Sequence, residues 1–122
     1  MSAGKSLCIL VTEDHEDSLE AMARVLRRKG HTVHTARTAE EARDLADAHH
    51  CDLLVGDIGL PGKSGIELMR DLRTRHNLKG IAVSGYAARQ DIAAALAAGF
   101  DRHVAKPVNF AELLTAIDEL TG

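Results

Sequence analysis

Residues 53–57 read Leu53-Leu54-Val55-Gly56-Asp57, a run with no polar side chain until it ends in a carboxylate. A half-exposed strand alternates polar and apolar residues. This run does not, so it is expected to be covered on both faces, as a central strand of a parallel sheet is. A solvated helix start does not explain an acid at the end of such a run.

Working outward, residues 7–11 and 81–83 are also nearly all apolar, whereas 32–35 and 103–105 are short and mixed. These five runs read as strands, and amphipathic stretches lie between them. Leu19, Met22, Ala23 and Leu26 recur at helical spacing, and Gly30 is placed to stop that helix in a left-handed cap. Thr38 with Glu41, Ser64 with Glu67, and Asn109 with Glu112 each match a capping box and mark three further helix starts. An alanine-rich helix is expected over 87–98, with Ile92 and Leu96 on one side and Gly99 at its end. The last helix is expected to bury Phe110, Leu113, Leu114 and Ile117. Five βα units with right-handed crossovers make a doubly wound α/β sandwich.

The 122 residues carry 15 Lys+Arg against 18 Asp+Glu, and the basic residues are scattered among acidic ones. That balance argues against direct nucleic-acid binding. One domain spanning 1–122 is expected, large enough to bury roughly two-thirds of its unfolded surface without disulfides or a structural metal. Its core must be aliphatic, because the aromatics are Tyr86, Phe100 and Phe110 alone. No apolar run approaches the roughly 20 residues of a membrane span, and residues 1–10 lack the pattern of a signal peptide, so a cytoplasmic protein without membrane contact is expected. Cys8 and Cys51 read as small buried hydrophobes. They are neighbours if their strands are, but in a reducing compartment they are expected to stay thiols. His49 and His50, beside Cys51, read as a polar helix end and not as metal ligands.

In a doubly wound sheet, chemistry gathers beyond the carboxyl ends of the strands. The first strand ends in Thr12-Glu13-Asp14, the third in Asp57, the fourth in Ser84-Gly85 and the fifth in Ala105-Lys106-Pro107. Crowded carboxylates repel unless a cation neutralises them. An all-oxygen set suits a hard ion such as Mg2+, and a lysine with a hydroxyl suits a phosphoryl group. A carboxylate can act as nucleophile to form an acyl phosphate, and Asp57, at the tip of a buried strand, is the candidate.

These residues resemble the receiver domains of bacterial two-component signalling. The likeness rests on ILVTED (9–14), DLLVGDIGLPGKSG (52–65), AVSGYA (82–87) and GFDRHVAKPV (99–108), in order and over essentially the whole chain. It implies a flavodoxin-like (βα)5 fold with strand order 2-1-3-4-5 and a cis Lys106–Pro107 bond. It further implies that Asp57 accepts a phosphoryl group from a histidine kinase or histidine phosphotransfer protein. Asp14, Asp57 and the Gly59 backbone carbonyl would ligate Mg2+, with Glu13 acting through a water. Lys106 would pair with the phosphoryl oxygens, and Ser84 would shift toward them as the switch. Such a domain promotes its own phosphorylation and dephosphorylation without separate turnover. A phosphorylation-dependent dimer is left open.

The family usually carries Tyr or Phe where this chain has His103. As a switch element His103 would move between two positions and add pH sensitivity; as a half-exposed edge residue it would do neither, and the edge reading takes precedence. Gly59 and Tyr86 would flank the path of the hydrolytic water, or Tyr86 would instead pack over the site loop as a lid. A dehalogenase-like phosphatase also uses an aspartyl nucleophile, but its DxD signature needs an acid where Gly59 stands. A binding domain that switches without phosphorylation would be expected to lack a site residue, and none is missing. SGYA and GFDRHVAKPV resemble receivers of hybrid histidine kinases, so an excised hybrid-kinase receiver is expected before a free-standing single-domain regulator.

Overall fold

The computed structural model describes residues 6–59, 64–85 and 89–121, without the side chains of 89–91. Tyr86 and the expected helix start at 87 lie outside these residues. Strands and helices alternate as β1 Cys8–Thr12, α1 Glu16–Arg28, β2 Thr32–Ala36, α2 Ala39–Ala48, β3 Leu53–Asp57, α3 Gly65–Arg75, β4 Lys79–Ser84, α4 Arg89–Ala98, β5 Arg102–Ala105 and α5 Phe110–Thr121. The strands form one parallel sheet in the order β2-β1-β3-β4-β5, as the resemblance implied. The three nearly all-apolar runs are its three inner strands, and the mixed ones are its edges.

Alternation along each inner strand sorts the core into two layers. Ile9, Val11, Leu53, Val55, Ile81 and Val83 pack with α1 and α5 on one face. Leu10, Leu54 and Ala82 pack with α2, α3 and α4 on the other. Every residue of β3 is buried, and full burial of one leucine side chain there contributes roughly 1.5–3 kcal/mol.

The helix ends follow their local chemistry. Beyond α1, Gly30 takes φ +93° while its N–H and that of His31 donate to the carbonyls of Arg27 and Leu26, a left-handed cap as expected. Of the three expected capping boxes, only Ser64–Glu67 is reciprocal. Thr38 accepts from the Glu41 N–H, but the Glu41 carboxylate accepts from Arg37 N–H, one residue before the cap. Asn109 caps α5 through its side-chain oxygen on the Glu112 N–H.

Three packing expectations need correction. In α4, Ala95 and Ala98 face the core while Leu96 is 48% exposed, because small side chains let this helix lie close on the sheet. In α5, Leu113, Ala116 and Ile117 are buried, whereas Phe110 and Leu114 are only partly so. Cys8 is half-buried and not fully enclosed, and both cysteines are free thiols.

Candidate functional site

Strand register brings the expected site residues to one end of the sheet, at the carboxyl ends of its strands. Thr12 pairs with Gly56, Asp57 with Val83, and Ser84 with Ala105, so β1, β3, β4 and β5 end near one level. Backbone pairing continues one residue further. The Glu13 N–H donates to the Ala36 carbonyl (3.1 Å), that of Ile58 to Val83 (3.0 Å), and that of Lys106 to Ser84 (2.8 Å). The side chains of Glu13 and Lys106 therefore leave from fixed backbone, and the Lys106–Pro107 peptide between β5 and α5 is cis.

Lys106 Nζ donates to Asp57 Oδ2 at 2.9 Å and lies 2.6 Å from Glu13 Oε1. Asp57 is 7% exposed, and its other oxygen, Oδ1, accepts from the Gly59 N–H at 2.9 Å. Glu13 is 1% exposed, and its Oε2 accepts from the His15 N–H at 2.9 Å. Asp14 is exposed, and its backbone carbonyl accepts from the Arg37 guanidinium at 3.2 Å, which ties the β1–α1 turn to the residue after β2. Burial pulls the Lys106 ammonium down, but the Glu13 and Asp57 carboxylates outweigh it and hold its pKa above the ordinary value.

Carboxylate oxygens of Glu13, Asp14 and Asp57 all lie within 4.8 Å of one another. Like charges at that separation repel by roughly 3 kcal/mol at an effective dielectric constant of about 20, and one ammonium cannot neutralise three carboxylates. Glu13 Oε1 is buried against the Lys106 ammonium at 2.6 Å, so the one lysine is shared between Glu13 and Asp57. Three crowded carboxylates with no nitrogen or sulfur donor among them fit a hard divalent cation.

Ser84, 7% exposed, turns its hydroxyl to His103, with Oγ and Nε2 at 2.9 Å. His103 is indeed half-buried on the edge strand, yet it holds the one hydroxyl expected to act at the site. Sequence reasoning missed that bond, and also the N–H of Gly59 on Asp57. It missed Gly65 as well: a Cβ there would overlap the Asp57 carbonyl oxygen and lie 2.9 Å from Ile58 Cα, so the start of α3 can sit behind Asp57 only without a side chain. A glycine in the first turn of a helix, straight after its cap, was the available signal.

Residues 9–118 match the response regulator receiver domain family. The chain belongs to that family. It is 38% identical over 115 residues to the two-component response regulator PhoP of Pseudomonas aeruginosa, covering 92% of this chain and 50% of that protein. A receiver domain protein of Methanospirillum hungatei has a TM-score of 0.89 at 32% identity, covering 96% of this chain and 94% of its own. A response regulator of Burkholderia pseudomallei, solved with a phosphorylated aspartic acid and a calcium ion, has a TM-score of 0.85 at 30% identity, covering 91% of this chain and 66% of its own. The domain is thus a receiver of two-component signalling with the sheet order of its family. Receiver domains bind Mg2+ at an acidic pocket, and here the acidic cluster is Glu13, Asp14 and Asp57. Among the described residues, no helix is long and apolar enough to cross a membrane.

Proposed function

We propose that Asp57 is the phosphoacceptor of this receiver, and that one unit spanning 1–122 carries out the transfer in the cytoplasm. The observation that carries this reading is the Asp57 carboxylate itself, buried at a strand tip with Gly59 N–H on one oxygen and Lys106 Nζ on the other. Oδ2 attacks the donor phosphorus, the bond from phosphorus to the leaving group breaks, and a mixed carboxylic–phosphoric anhydride remains on Asp57. Gly59 N–H holds Oδ1 in place during the attack. Lys106 moves its donors from the carboxylates to the phosphoryl oxygens as charge gathers there.

Asp14, Asp57 and the Gly59 carbonyl, with Glu13 through a water, would hold Mg2+, which would offset negative charge on the transferring group. The donor is a phosphohistidine of a kinase or of a histidine phosphotransfer protein. The likeness of 84–87 and 99–108 to hybrid-kinase receivers supports a relay origin, and the Burkholderia pseudomallei relative carries a phosphorylated aspartic acid.

Ser84 and His103 form the switch in this reading. A phosphoryl group on Asp57 offers the Ser84 hydroxyl a charged acceptor, which competes with its bond to His103 and frees the imidazole. Intact mass after incubation with a small phosphodonor tests the proposal. We expect a Mg2+-dependent gain of one phosphoryl group that Asp57→Asn abolishes; an equal gain in Asp57→Asn would overturn it.

A further inference from the structure

The amino ends of β1 and β3, opposite the acidic cluster, bring two cysteine thiols together. Cys8 opens β1, and Cys51 lies two residues before β3. Their sulfurs are 3.2 Å apart although 43 positions separate them in sequence. The backbone around them is clamped: Asp52 N–H donates to the Cys8 carbonyl (2.8 Å), while its carboxylate accepts from the Cys8 N–H (2.9 Å). Cys8 Sγ also lies 3.8 Å from the His49 carbonyl oxygen. Both side chains therefore converge from hydrogen-bonded backbone, and a bond of about 2.05 Å would bring the two sulfurs about 1 Å closer than they stand.

We propose that Cys8 and Cys51 are a redox-sensitive pair that closes a reversible disulfide between the starts of β1 and β3. The oxidant is a low-molecular-weight disulfide such as oxidised glutathione. Half-buried Cys8 is the sulfur it reaches. The Cys8 thiol loses its proton to solvent and its sulfur attacks one glutathione sulfur, so the glutathione disulfide breaks and one glutathione leaves as thiolate. Cys51 then gives up its proton and attacks Cys8 Sγ, expelling the second glutathione. Two protein thiols are oxidised, and one glutathione disulfide is reduced to two thiols. Burial, and the hydrogen bond to Cys8, push the Cys51 thiol up to about 12, so this closing step is the slow one at neutral pH and quickens as pH rises.

The experiment titrates the purified chain with reduced and oxidised glutathione, with and without a chelator, then alkylates free thiols and reads intact mass. We expect both thiols to disappear together, a mass lower by two hydrogens, a monomer on a non-reducing gel, and a Tm at least about 5 °C higher that dithiothreitol reverses. Cys51→Ser should instead accumulate a glutathione adduct at Cys8, whereas Cys8→Ser should leave Cys51 unmodified. Persistence of two alkylatable thiols in fully oxidising buffer would overturn the proposal. So would a disulfide-linked dimer, or protection seen only without chelator and with no loss of hydrogen, which would mean a thiolate site for a soft cation.

Discussion

Lys106 is the residue on which the electrostatics of the site turn. It is the ammonium against two nearly buried carboxylates, so Lys106→Met leaves Glu13 and Asp57 facing each other without it. We expect that variant to lose about 2 kcal/mol at neutral pH and to take up phosphoryl about a hundredfold more slowly, measured by urea melts and intact mass. Because the folded-state pKa of Lys106 is raised, its stabilisation is complete below its ordinary 10.5 and fades as pH rises through the higher folded value. The melting curves of wild type and Lys106→Met should therefore converge at strongly alkaline pH. At the neighbouring strand end, His103→Ala removes the partner of Ser84 Oγ. If the pair switches, amide shifts along β4 and β5 on phosphorylation should shrink in this variant; shifts equal to wild type would remove His103 from the mechanism.

Among the elements, the start of α3 bears most directly on the site. Ser64 and Glu67 close a reciprocal capping box, and Gly65 then passes against the Asp57 carbonyl. Gly65→Ala gains less than about 1 kcal/mol of helix propensity, because residue 65 is the first of the helix, but must push α3 or β3 aside. We expect a net loss of about 1–3 kcal/mol in denaturant melts, with slower phosphoryl uptake because Asp57 is displaced. The sequence identified this helix and its cap, since both depend on residues three apart. It did not reveal why residue 65 is glycine, because the contact reaches back to another element. The same limit explains α4: an alanine-rich stretch has no strong apolar face, so the spacing of Ile92 and Leu96 points to one side while Ala95 and Ala98 make the core.

At the scale of the whole molecule, the sheet and its functional edge were legible because burial is written into composition. Runs without polar residues became the inner strands, and the acids at the ends of two of them met the lysine that follows edge strand β5 once the strands aligned in parallel. Strand order itself came from the family resemblance and not from periodicity. Contacts set by register, such as Ser84 with His103 across β4 and β5, needed coordinates. So did the near contact of the Cys8 and Cys51 thiols, which the sequence left conditional on adjacent strands. The result is a domain with an acidic cluster at the carboxyl ends of its strands and a thiol pair at the amino ends of two of them.

The claim that Asp57 receives the phosphoryl group is tested most directly by borohydride trapping. Reduction of an acyl phosphate converts the carboxyl carbon to an alcohol, so a phosphorylated aspartate becomes homoserine and can be located by peptide sequencing. The account predicts homoserine at position 57 after treatment with phosphodonor and Mg2+, with Glu13 and Asp14 unaltered. Modification at Glu13 or Asp14 with Asp57 intact, or no reducible adduct in protein that has gained phosphoryl mass, would contradict it.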